Sequence, residues 1–328
     1  MKILGKNLFR EFWITDFNQL HLCIFTIGYG GEGESILVVV KEGETSLYSF
    51  LIDSYQGVDD YNHACEILHK EGIKQIDAFI WTHPDEDHSV GIADFLEEFD
   101  SNHQAEVFIP MISSRNEGLC EEAQKNLKYI EDNYNSGTKR KLRALVVNNM
   151  ADVYDQLTFK KTGTDIAMNC RFKFFLPHGS MIQRRLDKGK VRWNDLSLLF
   201  SLECNGYTYL FGGDITQQSL QFVPFGQFQN VCFVKIPHHG SAEVQSFSER
   251  IRRGCINGKV MASVTEFSSK NLPRMEVLDS YKDFCKGIYR TGQGTYSYGC
   301  VETYFNLMGL DTNKNLKGNA TVYFEYSS

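Results

Sequence analysis

Residues 76–95 read IDAFIWTHPDEDHSVGIADF. The apolar run through Ile76, Ala78, Phe79, Ile80 and Trp81 stops abruptly, and His83, Asp85, Glu86, Asp87 and His88 follow at once. An apolar run that breaks into polar residues predicts a buried strand feeding a loop. Beyond Gly91, the spacing of Ile92, Phe95, Leu96 and Phe99 predicts a helix starting near Ser89 or Val90. The cluster therefore belongs on a strand-to-helix turn, where open α/β sheets place their ligands.

Neutral imidazole and ionised carboxylate are the side chains that bind divalent transition metals. In an extended loop His83, Asp85 and Asp87 point one way, with His88 beside them. Acids crowded together without a cation raise one another's pKa, and a bound metal removes that conflict. The plain alternative is a solvated acidic loop with incidental histidines. It suits a lone His-x-Asp better than His-x-Asp-x-Asp-His straight after a buried strand. Two later stretches repeat the pattern of apolar strand followed by polar turn. YTYLFGGD (207–214) ends in Gly-Gly-Asp, where the glycines let the backbone turn closely around whatever Asp214 faces. VCFVKIPHHGS (231–241) ends in His238 and His239. Adjacent histidines of an extended chain face opposite ways, so one can bind metal while the other meets substrate or an acid. The residues do not say which.

THPDEDHSVG resembles the His-x-His/Asp-x-Asp-His signature of the metallo-β-lactamase fold, with Asp85 in place of the more usual middle histidine. That variant is similar to the branch resembling the metallo-β-lactamase-like domain of the DNA-uptake protein ComEC. GYGGEGESILV (28–38), the turn holding Asn194, Asp195 and Ser197, and IYRTGQG (288–294) resemble the same branch. The resemblance covers about residues 20–294 and is loose over 100–170. It implies an α/β fold, the metallo-β-lactamase αββα sandwich of two mixed sheets with outer helices. One domain would span 1–328, with 295–328 as a C-terminal extension.

The resemblance also implies two divalent ions, zinc with manganese as the alternative. His83 and Asp85 would serve one ion, Asp87 and His88 the other, and Asp214 would bridge them. One or both of His238 and His239 would complete the set, and His178 stands between ligand and ordinary loop residue. Asp85, Asp87 and Asp214 would be the catalytic carboxylates. Asp53, at the end of SFLID, would support the loop by hydrogen bonds, with a turn cap as the competing role. Asn194 and Ser241 would lie beside substrate or behind the ligands. The implied activity is a metal-dependent hydrolase that uses a metal-bound hydroxide on a phosphodiester, first of all a nuclease on DNA or RNA. A hydrolase of a small phosphodiester or lactone is the second reading. A non-catalytic, metal-stabilised binding or regulatory subunit of a larger complex, such as a defence assembly, is the third. No Gly-x-Ser-x-Gly or P-loop offers a rival chemistry.

Composition narrows the class. The 328 residues are 42% hydrophobic and 23% charged, ordinary for a soluble globular chain. No apolar run approaches the ~18 residues of a membrane span, and the N-terminal stretch lacks a signal-peptide core, so a cytoplasmic location is expected. A net charge of −7 disfavours a broad non-specific nucleic-acid surface. Nine cysteines without a C-x-x-C pair predict free, small, buried thiols. Residues 115–160 read as charged and helical, with Lys139, Arg140, Lys141 and Arg143 as a solvated basic face. His63 and His69 read as surface residues, and His103, in a polar turn, as a residue without a role.

Overall fold

The computed structural model describes residues 9–135, 141–148, 152–188, 192–294, 296–309 and 311–326. Along the first half run β1 (Phe9–Ile14), β2 (Leu20–Gly28), β3 (Glu34–Glu42), β4 (Thr45–Ile52), α1 (His63–Lys70), β5 (Ala78–Ile80), α2 (Ile92–Phe99), β6 (Glu106–Pro110), α3 (Glu121–Tyr134), β7 (Leu142–Leu145) and β8 (Asp152–Lys161). The second half adds β9 (Ala167–Leu176), α4 (Gly179–Lys188), β10 (Leu199–Cys204), β11 (Tyr207–Phe211), α5 (Gln217–Leu220), β12 (Val231–Lys235) and α6 (Gln245–Arg252). β13 (Val260–Val264), α7 (Met275–Asp279), β14 (Cys285–Arg290), β15 (Gly299–Asn306), β16 (Thr312–Gly318) and β17 (Thr321–Glu325) close the chain.

One sheet has the order β16-β15-β2-β3-β4-β5-β6-β7, the other β1-β8-β9-β10-β11-β12-β13-β14-β17. Both are mixed. An antiparallel meander leads into four parallel strands, β4 to β7 in the first sheet and β11 to β14 in the second. Alternation along each strand divides the core into layers. Ile24, Val38, Phe50 and Ile80 of the first sheet face Phe172, Phe200, Phe211 and Phe233 of the second. Their neighbours Phe25, Leu37, Leu51 and Phe79 turn outward onto α1, α2 and α3. On the far side Leu210, Val234 and Ala262 pack under α5, α6 and α7. Strands buried on both faces explain why ILVVV (36–40) is continuously apolar rather than alternating. The αββα sandwich implied by the sequence is the observed architecture.

Several local expectations change. Among the described residues of 115–160, only Glu121–Tyr134 is α-helical, and β7 and β8 occupy much of the rest. Leu157 and Phe159 point into the core from a strand whose remaining residues are largely charged or polar, so the period-2 signal is weak. Lys139 and Arg140 lie outside the described residues, while Lys141 and Arg143 pair with buried Glu106 rather than facing solvent alone. The C-terminal stretch is built into both sheets: β15 pairs with β2 and β17 with β14. His63 is buried, its ring stacked on Tyr298 at 3.8 Å. Cys170 and Cys204 sit directly opposite one another on β9 and β10 and form a disulfide, leaving seven free thiols. Among the described residues no helix is long and apolar enough to cross a membrane.

Phe172 ties the layers together. It is fully buried, with ring centroids 5.1 Å from Phe50 and 6.2 Å from Phe108 on the opposite sheet. Phe172→Ala should lower the unfolding free energy by about 3–5 kcal/mol. Guanidinium denaturation followed by tryptophan fluorescence measures this, and an unchanged midpoint would contradict the packing described.

Candidate metal centre

The carboxyl ends of the two parallel half-sheets face one another, and the loops leaving β4, β5, β11, β12 and β13 converge there. Asp53 follows β4, and His83 to His88 follow β5. Asp214 follows β11 through Gly212 and Gly213. A Cβ on Gly213 would lie 2.4 Å from Ser197 Oγ and 2.8 Å from Thr82 Cβ, and its φ is +45°, so the approach of the two sheet edges requires glycine. The Ser197 hydroxyl accepts the Asp214 N–H at 3.0 Å.

Four side chains, Asp87, His88, Asp214 and His239, bring one donor atom each within 4.8 Å of one another. His88 Nε2 lies 3.5 Å from both Asp87 Oδ2 and Asp214 Oδ1. His239 Nε2 lies 3.1 Å from Asp87 Oδ2 and 3.6 Å from Asp214 Oδ2. His83 stands next to this group, its ring 4.2 Å from that of His88 and its Nε2 3.6 Å from Asp85 Oδ2. His238 Nε2 approaches Asp214 Oδ2 at 3.8 Å.

The two histidines do not lie on an extended chain. His238, His239 and Gly240 have φ of +49°, +50° and +72° in succession. Left-handed backbone at two non-glycine residues costs of order 1 kcal/mol or more each. It turns both imidazoles toward the same carboxylate instead of to opposite faces. His239 is buried and belongs to the four-residue cluster, while His238 is partly open to solvent.

Hydrogen bonds behind the imidazoles define their tautomers. Asp53, fully buried, accepts from Thr82 N at 2.6 Å, Thr82 Oγ1 at 2.7 Å and His88 Nδ1 at 2.8 Å. Neutral His88 therefore carries its proton on Nδ1 and leaves Nε2 bare. The Thr82 hydroxyl hydrogen is committed to Asp53, so Thr82 Oγ1 accepts from His83 Nδ1 at 3.0 Å and His83 Nε2 is bare as well. His83 Nε2, His88 Nε2 and Asp214 Oδ1 are all buried without a hydrogen-bond partner.

Electrostatics point the same way. Burial would push His88 toward its neutral form, but Asp87, Asp214 and Asp53 outweigh it and hold the pKa well above the ordinary imidazole range. Burial and His88 both lower the pKa of His83, yet Asp85 and Asp214 raise it overall. Burial also opposes ionisation of Asp87 and Asp214, and the imidazoles hold both carboxyls far below the usual range. Glu34, behind the cluster, is buried too; Lys235, His88 and His239 bring its pKa down to about 2 against that burial. The carboxylates thus demand positive charge at the point where the bare Nε2 atoms meet. A divalent cation would supply it, and the imidazole and carboxylate donors suit one.

The residues expected from the sequence divide into two sets. His83, Asp85, Asp87, His88, Asp214, His238 and His239 come together, with Asp53 behind them. His178 does not join this group. It stacks on Phe222 at 4.6 Å, and its Nδ1 accepts the Ser180 N–H at 3.2 Å. Asn194 contributes its backbone carbonyl to Ser197 N, and Ser197 rather than Asn194 touches Asp214. Ser241 caps the turn at Ala242–Val244 by accepting the Glu243 N–H. Sequence reading passed over Glu34, Thr82, Lys235 and Thr265. Lys235 carried a usable signal, since it is a lone charge at the end of an apolar strand, and a buried charge needs a partner.

No protein-family description matches this chain, and no curated protein is similar enough to count. Among solved structures, several are similar to this chain. A diphosphatase from the PhnP family has a TM-score of 0.41 at 14% identity, over 86% of this chain and 98% of that one. The metallo-β-lactamase fold protein YhfI from Bacillus subtilis has a TM-score of 0.40 at 10% identity, over 84% and 98%. A metallo-β-lactamase from Hirschia baltica has a TM-score of 0.28 at 14% identity, over 59% and 68%.

A proton and a cation compete for the lone pair of His88 Nε2, and the carboxylates around it favour the proton as well as the metal. Zinc affinity should therefore weaken as pH falls from about 8 to about 6, with protons released on binding. Competition against a fluorescent chelator across that range measures it, and a flat affinity would remove His88 from the ligand set.

Proposed function

We propose that this protein is a metal-dependent hydrolase that cleaves phosphodiesters, with nucleic acid as the preferred substrate class. The observation that supports it is the convergence of bare, buried Nε2 and carboxylate oxygens at a solvent-reachable edge. Asp87, His88, Asp214 and His239 would hold one divalent ion. His83 and Asp85, sharing Asp214, would hold the second. Zinc suits the imidazole-rich set, and manganese the carboxylate share. Such ions supply Lewis acidity to a phosphoryl oxygen and to the attacking water.

The chain's own side chains divide the remaining work. Asp85, with its side chain 34% exposed, sits at the mouth and would orient the attacking water. His238, also at the mouth, would give a proton to the departing alkoxide. Asp53 and Thr82 keep His83 and His88 from rotating. The nuclease assignment draws on the sequence resemblance to the ComEC-like branch. The net charge of −7 favours the second reading, a small phosphodiester that needs no extended cationic surface.

Purified protein loaded with zinc or manganese should cleave plasmid DNA, single-stranded DNA or RNA. Chelation should stop the reaction. Asp87→Ala should reduce it beyond the ~10–100-fold that residues behind the ligands command. Turnover of bis-p-nitrophenyl phosphate without polymer cleavage would select the small-substrate reading. Stoichiometric metal with no hydrolysis of either would select a non-catalytic role.

A further inference from the structure

Behind His239, on the side away from Asp87, Thr265, Glu34 and Lys235 form a continuous line. The Thr265 hydroxyl donates to Glu34 Oε2. His239 Nδ1 lies 3.0 Å from the same Thr265 oxygen. Lys235 Nζ lies 2.7 Å from Glu34 Oε2, with 0% and 1% of the two side chains exposed. Lys235 ends β12 of one sheet and Thr265 follows β13, while Glu34 opens β3 of the other sheet. The line therefore crosses the sandwich. Beside it, Thr26 and Ser263 make a second bridge between the sheets at 2.8 Å.

His239 has a competing arrangement. Its Nε2 is 3.1 Å from Asp87 Oδ2. With the proton on Nε2, a charge-assisted hydrogen bond to Asp87 would form, and the nitrogen would have no lone pair for a cation. A threonine hydroxyl alone does not decide between the tautomers, because it can rotate to donate or accept. Glu34 decides, since a carboxylate only accepts and so takes the hydroxyl hydrogen. Thr265 Oγ1 is then left to accept from His239 Nδ1. Lys235 supplies the counter-charge that allows a carboxylate to sit in this interior.

We propose that Lys235, Glu34 and Thr265 are positioning residues that hold His239 as its Nδ1–H tautomer and thereby make its Nε2 a metal ligand. The proposal rests on the reading of the cluster as a metal centre, but the tautomer can be observed without metal. Long-range proton–nitrogen NMR on 15N-histidine protein, free of metal and above the imidazole titration, should find His239 protonated on Nδ1. Thr265→Val should move the proton to Nε2 and weaken zinc affinity by about 10–100-fold, and Thr265→Ser should restore both. If Thr265→Val fails to fold, the charge-free pair Lys235→Met with Glu34→Met, which removes the acceptor of the Thr265 hydroxyl, gives the same test and the same expected shift. Wild-type His239 protonated on Nε2, or a valine variant with unchanged tautomer and affinity, overturns the proposal. If the tautomers respond as expected but wild-type protein binds no zinc, the metal centre fails while the positioning role stands.

Discussion

The carboxylate of Asp53 holds the site together. It stands where β4 ends, in a left-handed conformation (φ +55°), and receives three hydrogen bonds from the loop after β5. Two of these come from Thr82, and the third comes from His88. Removing that acceptor would strand buried donors, each at a cost of about 1–3 kcal/mol. It would also free the rings of His83 and His88 to turn. The orientation of half the imidazoles therefore depends on one buried residue that lies behind the rings.

Charge explains why so much polar chemistry survives between two apolar layers. Asp53, Glu34, Asp87 and Asp214 are all taken largely out of water at one edge, and Lys235 is the ammonium placed among them. The imidazoles carry the remaining demand for positive charge, which is why the carboxyls of Asp87 and Asp214 stay ionised so readily. The same edge stores strain at His238 and His239. Backbone strain of this kind is tolerated where surrounding structure over-determines it. Here His238 N is tied to Gly213 O at 2.8 Å, which fixes the histidine turn to the Gly-Gly-Asp turn beside it.

Much of this was readable from local pattern. The break from AFIW into THPDEDH marks the end of β5, and LFGGD and KIPHHG mark the ends of β11 and β12 in the same way. Such breaks are visible because a strand buried on both faces is a continuous apolar run. β8 was hidden because it lies near a sheet edge, where Leu157 and Phe159 are the buried apolar residues among the described side chains of the strand. The Cys170–Cys204 bond was hidden because strand register is not written in either strand alone. His178 was misleading for a related reason. A histidine after a strand has the same local signature whether it turns to a metal or stacks on Phe222.

The sequence by itself determined which residue types stand at the ends of which strands, and thereby the layered architecture and the inventory of candidate ligands. Periodicity and apolar runs are properties of neighbouring residues, so they survive in one dimension. Only the tertiary structure decided how those residues face one another. His239 meets Asp87 across 152 positions, and Thr265 meets Glu34 across 231. Contacts of that span arise from the closure of one sheet on the other. That closure also decides which histidine of the 238–239 pair is buried and which nitrogen it turns to Asp87.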